Sequence, residues 1–178
     1  MNNNGIVVEG DPVLRQVAQE VPKEMFGTKE LEDIVYKMSK ALRTASHGVA
    51  IAAPQVGVSY RVFVVRGFVM QNHERNDLDM DVAFINPRIT NLSRKKIPIE
   101  GEGCLSVPDV YGTIVRHEKA KVVAYDVQGK KFERGGSELL AEIFQHEVDH
   151  LNGILFIDTA TDVKKIEPAP AVETHSHE

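Results

Sequence analysis

Two histidines four residues apart are the most chemically informative feature of the sequence. They are His146 and His150 of the segment HEVDH, which lies in an apolar run with helical periodicity. Because each helical residue turns by about 100°, both imidazoles project from one face and can reach the same metal ion. Glu147 projects beside that face, where a carboxylate can act on a water ligand of the metal. The segment predicts a metal-dependent hydrolytic site, and the alternative is a chance pair of histidines on a buried helix.

The opposite face of this helix is apolar. Four side chains gather there: Leu140, Phe144, Val148 and Leu151. Such a stripe is typical of a helix that packs against a core. We expect Ser137 to cap the helix and Asn152-Gly153 to end it.

The single cysteine, Cys104, lies in the segment EGCLS. Its neighbour Gly103 leaves room for a metal or a substrate. A free cysteine is more often a small buried apolar residue than a ligand, but the HEVDH motif makes Cys104 a candidate third ligand. One cysteine cannot form a disulfide within the chain, which is typical of a reducing cytoplasm.

A third stretch, GVAIAAPQVG at residues 48–57, is rich in small side chains. Pro54 prevents a long helix, and backbone flanked by glycine and alanine can be approached closely by a ligand. The Gln55 amide can donate a hydrogen bond to a carbonyl oxygen. A tight turn followed by a strand, without a functional role, is the alternative.

Composition indicates one globular domain. The 178 residues include 42% hydrophobic and 26% charged residues, an ordinary balance for a globular protein. The net charge of −5 argues against general nucleic-acid binding. There is no apolar run of 18 residues and no secretory signal pattern, so we expect no membrane span. We predict a catalytic domain over residues 1–162 and a short, disordered, acidic tail over 163–178.

Short β-rich runs surround the motif helix, at residues 61–66, 82–89, 96–99, 114–115, 121–127 and 154–157. A second amphipathic helix is predicted over 29–46, with Thr28 as its cap. The polar interval 71–81 predicts a loop. One helix buried among short strands predicts an α+β fold, with antiparallel sheets wrapped around the motif helix.

Taken in chain order, the stretches GVAIAAPQ, EGCLS and QHEVDHLNG resemble the peptide deformylases, and GDPVLR at 10–15 is a further match. The resemblance runs from about Gly10 to Phe156. It implies the deformylase fold and removal of the N-formyl group from the N-terminal methionine of newly synthesised proteins, with release of formate. It also implies that Cys104, His146 and His150 bind one divalent metal ion, usually Fe²⁺ in vivo, with Zn²⁺, Ni²⁺ or Co²⁺ as substitutes.

The resemblance assigns roles to the residues around the metal. Glu147 would be the general base, and the Gln55 side-chain amide and the Leu105 backbone N–H would stabilise the oxyanion. Four residues would pair with an extended peptide substrate: Gly48, Val49, Ala50 and Gly103.

Four further residues are placed near the site by spacing or by resemblance. Ile143 and Glu142, three and four residues before His146, are candidates for the wall and the rim of a methionine pocket. For Glu142 a solvated helix carboxylate is the alternative. Arg116 is expected to pair with Glu102 and so to hold the EGCLS segment in place.

The sequence departs from the family pattern at two places. Ala50 stands where a second glycine is usual, so a Cβ lies where substrate backbone should pass, and a positive φ would be strained. The resemblance also implies transient contact with the ribosome, although the short acidic C-terminus lacks the basic helix of many bacterial members.

Two other functions share parts of this pattern. A zinc endopeptidase also uses HExxH, but its third ligand usually lies downstream, and here the later histidines are His175 and His177 in the predicted tail. A catalytically impaired relative that only binds metal or peptide is the second. The presence of Glu147 and Gln55 favours an active deformylase.

Overall fold

The computed structural model describes residues 1, 4–45, 47–71 and 80–166. Within these residues the strands are β1 (Ala50–Ala52), β2 (Val62–Val65), β3 (Val82–Leu92), β4 (Lys96–Cys104), β5 (Val107–His117), β6 (Lys119–Tyr125), β7 (Lys131–Ser137) and β8 (Thr161–Lys165). The α-helices are α1 (Lys29–Thr44), α2 (Gly67–Gln71) and α3 (Glu138–Leu151). Short 3-10 helices span Pro12–Arg15, Lys23–Met25, Ala53–Val56 and Phe156–Asp158.

The strands form two antiparallel sheets. One has five strands in the order β1-β2-β3-β6-β7, and the other has three in the order β4-β5-β8. The motif helix α3 contacts strands of both sheets. The predicted α+β fold, with antiparallel sheets around this helix, is therefore confirmed.

The five-stranded sheet is covered on both faces, and the alternation along its strands decides which residue meets which helix. Ile51, Val62, Val64 and Ile85 belong to the cluster that includes α1 residues. Ala52, Phe63, Val65 and Phe84 belong to the cluster that includes α3 residues. Strand β2 is consequently fully buried, which explains its continuous apolar run.

Aromatic side chains fix α3 on the sheet. The rings of Phe63 and Phe84 stack with centroids 4.5 Å apart, and the Phe144 ring meets Phe84 edge-on at 5.4 Å. Leu140 and Val148 pack against the same cluster, which also contains Leu151. The predicted apolar face of the helix thus packs on the core, and its other face is available to the site.

The predicted helix starts are correct in part. Thr28 caps α1, because its hydroxyl oxygen accepts a hydrogen bond from the Leu31 N–H at 3.4 Å. Ser137 occupies the N-cap position of α3, but its side chain makes no capping hydrogen bond. Gly135 and Gly136, just before Ser137, belong to strand β7, which pairs with β6.

The strand predicted at 154–157 is wrong. Gly153 adopts a φ of 75°, which turns the chain away from the end of α3. The Asp158 carboxylate then accepts a hydrogen bond from the Leu155 N–H at 2.9 Å and closes a 3-10 turn. A local hydrogen bond from the backbone to an acidic side chain outweighs the β propensity of the apolar residues here.

Part of the predicted C-terminal tail belongs to a strand. Strand β8 pairs with β5 and contains residues 163–165, which the sequence placed in the tail. The rest of that predicted tail, from 167 to 178, lies outside the described residues, as do 72–79 of the predicted loop. Among the described residues, no helix has the length and apolar character needed to cross a membrane.

The aromatic cluster gives a test of the packing. We expect Phe84→Ala to lower the free energy of unfolding by about 3–5 kcal/mol, because it leaves a cavity between the sheet and α3. Tyr36→Ala, at a side chain that is 68% exposed on α1, is the control and should stay within about 0.5 kcal/mol. Urea unfolding followed by circular dichroism measures both, and a loss below about 1 kcal/mol for Phe84→Ala would contradict this packing.

Candidate active site

Cys104 and the two motif histidines meet where the end of β4 approaches α3. The Cys104 sulfur lies 3.1 Å from Nε2 of His150. One donor atom from each of Cys104, His146 and His150 lies within 4.8 Å of the others. Helical spacing supplies the two nitrogens, and the last residue of β4 supplies the sulfur. A thiolate and two imidazoles in this arrangement suit Zn²⁺ or a first-row transition metal, and not Mg²⁺ or Ca²⁺.

His146 is oriented by a carboxylate. Its Nδ1 lies 2.7 Å from Oε1 of Glu102, so Nδ1 is the nitrogen that donates and Nε2 is left for a ligand. Burial lowers the pKa of His146, but Cys104 and Glu102 raise that pKa by more, and the net shift is upward. The Glu102 carboxylate favours a proton on the imidazole, and for the same electrostatic reason it favours a metal cation nearby.

His150 is the more deeply buried histidine, with 1% of its surface exposed. Burial, followed by the charges of His146 and Arg116, lowers its pKa well below the usual value. The neutral imidazole, which can donate a lone pair to a metal, is therefore favoured. Its Nδ1 is buried and has no hydrogen-bond partner among the described residues, so only His146 is held by a carboxylate.

A buried ion-pair network supports His146. The Arg116 guanidinium donates two hydrogen bonds to Glu102, at 2.6 and 2.5 Å, and a third to Asp149 at 3.0 Å. Burial alone would raise the pKa of Glu102, but hydrogen bonds from Arg116 and His146 outweigh it and lower that pKa to about 2. The network joins β4, β5 and α3, as the sequence predicted for the first pair.

Glu147 lies in a different environment. Only 3% of its surface is exposed, and its Oε2 has no hydrogen-bond partner among the described residues. Burial raises its pKa to about 7, against the opposing effect of His146 and Arg116. A carboxyl group poised near neutral pH beside a hydrolytic centre is suited to accept and return a proton.

Gln55 is fixed with its amide nitrogen toward the cysteine. Its Oε1 accepts a hydrogen bond from the Ala52 N–H at 2.8 Å. Its Nε2 lies 3.1 Å from the Ser106 hydroxyl and 3.5 Å from the Cys104 sulfur. The first bond prevents an amide flip, so that an N–H donor faces the site.

A cleft of about 540 Å³ opens over these groups. It is lined by residues from all three predicted stretches and by two residues of the preceding turn of α3: Gly48, Val49, Ala50, Gln55, Gly103, Cys104, Leu105, Glu142, Ile143, His146 and Glu147. His150, Glu102 and Arg116 lie behind this lining. The structure therefore brings the predicted substrate-binding residues to one surface.

Two expectations about small residues are refined. Ala50 lies in β1 and is not among the residues with positive φ. The backbone strain that a positive φ would cause at this alanine is therefore absent. The space beside Gly103 is already filled, because a Cβ there would lie 2.8 Å from the Tyr111 ring. Gly103 therefore permits close packing of β4 on β5 and does not leave an empty space.

Several residues near the site were not identified from the sequence, among them Leu139, Tyr111, Ser106 and Asp149. Leu139 and Tyr111 line the cleft, Ser106 contacts Gln55, and Asp149 binds Arg116. Ser106 lies in EGCLS and Asp149 in HEVDH, so their presence in the motifs was the available signal. Nothing in the local sequence identifies the two lining residues.

Comparison with known proteins assigns this arrangement to a family. Residues 4–166 match the family model described as polypeptide deformylase. A peptide deformylase of Thermomicrobium roseum is 36% identical over 173 residues, 97% of this chain and 94% of that protein. One from Desulforudis audaxviator is 41% identical over 160 residues, 90% and 95% of the two chains.

A solved structure shows the same likeness in three dimensions. It is the Met-Ala-Ser-bound class I type b peptide deformylase of Acinetobacter baumannii, with a TM-score of 0.76 and 35% identity. The match covers 86% of this chain and 96% of that one.

The ion-pair network predicts a large effect of Arg116. We expect Arg116→Met to lower the free energy of unfolding by about 3–5 kcal/mol, because it leaves the Glu102 carboxylate buried and unpaired. Arg88→Met is the matched control, since its pair with Glu20 has side chains 73% and 56% exposed and contributes about 1 kcal/mol or less. Equal effects in denaturant unfolding would show that burial of the Glu102 pair is energetically unimportant.

Proposed function

Because this chain belongs to the polypeptide deformylase family, it is an enzyme that removes the N-formyl group from nascent peptides, and we propose that the site between β4 and α3 performs the reaction. The observation that carries the assignment of the site is the convergence of three donor atoms within 4.8 Å beside the buried carboxylate of Glu147. The metal-binding atoms and the proposed general base, Glu147, therefore lie together at one site.

The metal ion would be held by Cys104, His146 and His150. The donor set is soft, which suits Fe²⁺, Zn²⁺, Ni²⁺ or Co²⁺, and we propose Fe²⁺ as the physiological ion because it is usual in the family. When bound, the cation supplies Lewis acidity and lowers the pKa of a water molecule toward neutrality.

Glu147 moves the proton. Its carboxylate accepts the proton that the water loses as the water oxygen adds to the formyl carbon. The C–N bond then breaks, Glu147 returns the proton to the amine nitrogen, and formate leaves. The unpartnered Oε2 and the pKa near 7 support this role, because the group can exist in either protonation state near neutral pH.

Gln55 and Leu105 stabilise the developing oxyanion. The bond from Ala52 holds the Gln55 carbonyl oxygen away from the cleft, so that its NH₂ group is the donor. Leu105 follows Cys104 directly and lines the same cleft. The Gln55 donor, fixed in this way, does not reorganise during the reaction, which is why it favours the transition state over the ground state.

The peptide would bind extended along the cleft. Gly48, Val49, Ala50 and Gly103 line it and offer backbone groups for strand-like pairing. Ile143, 4% exposed, would form the wall of the methionine pocket. The solved relative with Met-Ala-Ser bound supports a short methionyl peptide as the ligand class.

Partners and location follow from the substrate. We propose that the enzyme meets nascent chains in the cytoplasm, where its free thiol stays reduced. Transient ribosome contact stays a prediction. The endopeptidase alternative is not favoured, since the third donor atom beside His146 and His150 comes from the upstream Cys104.

Replacement of Glu147 tests the mechanism. We expect Glu147→Ala to lose about 10²–10⁴-fold in activity, mainly in kcat, because a general base acts in the transition state. Metal content and fold should be kept. Steady-state deformylation of formyl-Met-Ala-Ser measures the loss, with metal analysis and melting temperature on the same sample. Glu133→Gln, at an exposed glutamate of β7, is the control, and near-normal kcat in Glu147→Ala with full metal would contradict the mechanism.

Replacement of Cys104 tests the metal site. We expect Cys104→Ala to lose most of its metal on dialysis, because one of three protein ligands is removed. Elemental analysis of anaerobically prepared protein measures occupancy and identifies the ion, for which iron is expected. His47→Ala, at a histidine that lines the cleft but is not one of the three donors, is the control. Full occupancy in Cys104→Ala would remove the cysteine from the site.

A further inference from the structure

One serine behind the cleft makes a contact that the proposed chemistry does not use. Ser106 is 0% exposed and lies in the short turn between β4 and β5. A buried hydroxyl is costly unless it is hydrogen-bonded. Among the described residues the partner of this hydroxyl is the Gln55 amide, with Oγ and Nε2 3.1 Å apart. An amide nitrogen offers no acceptor, so Gln55 donates this bond and the Ser106 oxygen accepts it.

Two hydrogen bonds together fix the plane of the Gln55 amide. The Ala52 N–H holds Oε1, which decides the end of the amide that faces the site, but one bond alone lets the group turn about that contact. The Ser106 oxygen holds one of the two hydrogens on Nε2. Because the amide is planar, the direction of its second N–H is then set. That N–H lies on the side of Cys104, whose sulfur is 3.5 Å from Nε2.

Ser106 is itself held on two sides. Its backbone N–H lies 3.4 Å from the Cys104 sulfur, and its carbonyl oxygen accepts a hydrogen bond from the Glu9 N–H at 2.7 Å. The same N-terminal segment binds the other loop, because the Val7 N–H donates to the Gln55 carbonyl oxygen at 2.8 Å. The two loops that carry the hydroxyl and the amide are therefore tied to one segment, which fixes their separation.

We propose that Ser106 is a positioning residue for deformylation, whose hydroxyl oxygen holds one N–H of Gln55 so that the other is aimed at the formyl oxygen. Ser106 is not among the residues that line the cleft, and it acts only through Gln55. A donor that is aimed before the reaction stabilises the developing oxyanion without reorganising. This inference rests on the proposed function, because it takes Gln55 as an oxyanion donor.

Removal of the hydroxyl tests this role. We expect Ser106→Ala to lower kcat for formyl-Met-Ala-Ser about tenfold, which is part of the roughly 10²–10³-fold loss for a whole oxyanion donor. KM should stay within about twofold, since the contact acts in the transition state, and metal content should be unchanged. A kcat within about twofold of wild type would overturn the proposal.

Ser93→Ala is the matched control. The Ser93 hydroxyl donates to the Lys95 carbonyl oxygen at 2.8 Å and accepts from the Lys119 N–H at 3.0 Å, and none of these three residues lines the cleft. This variant also loses a serine hydroxyl that makes hydrogen bonds, but it should keep kcat within about twofold of wild type.

A double-mutant cycle separates the positioning of Gln55 from a general structural role. Gln55→Ala removes the donor, so Ser106→Ala in that background has no amide to position and should change kcat by less than about twofold. A loss of stability or of metal would act alike in both backgrounds. An equal loss of kcat from Ser106→Ala with and without Gln55 would therefore overturn the role of Ser106.

The orientation of Gln55 can also be measured without turnover. In heteronuclear NMR spectra of the zinc-loaded protein, the side-chain NH₂ pair of Gln55 is the pair that Gln55→Ala removes. We expect Ser106→Ala to shift one proton of this pair and to speed its exchange with water, and Ser93→Ala to leave both protons in place. An unchanged pair in Ser106→Ala would contradict the proposed contact.

Failure of the proposed function gives a different result. A wild-type enzyme that binds metal but deformylates no formyl peptide would overturn that function. The NMR spectra would still report whether Ser106 holds the Gln55 amide.

Discussion

The buried Glu102 carboxylate is the constraint on which the site depends. It lies on β4, binds Arg116 of β5 and accepts from His146 of α3. A charge removed from water is costly unless it is paired and fully hydrogen-bonded, and here hydrogen bonds from both neighbours keep the pKa of Glu102 near 2. Because these bonds join three elements, β4, β5 and α3, the network fixes the hairpin that carries Cys104 against the helix that carries both histidines.

The pKa values of Glu102 and Glu147 are shifted in opposite directions because their surroundings differ. Glu102 accepts hydrogen bonds from Arg116 and His146, whereas Glu147 is equally buried but has an oxygen without a partner among the described residues. Hydrogen bonds lower the first pKa, and burial raises the second to about 7. Environment alone separates a carboxylate that stays ionised from one that can exchange a proton.

The parts of the fold that follow from local periodicity were predictable. Helix α1, the buried face of α3 and strand β2 each have a pattern that specifies one structure. Errors occurred where local side-chain bonds or distant pairing decided the outcome. The turn at Phe156–Asp158 depends on the Asp158 carboxylate, and β8 exists because β5 offers it an edge. Neither an edge partner nor a competing turn is evident from hydrophobicity.

The sequence by itself determined the chemical groups and the spacing of the two histidines, because four residues of α-helix place both on one face whatever surrounds them. The ordered motifs also indicated the family. Only the tertiary structure decided how Cys104 approaches His150 across 46 positions of sequence, which nitrogen of His146 is free, and where Gln55 points. Those properties depend on burial and on partners that are distant in the chain, and a protonation equilibrium changes with every charge that folding brings near it.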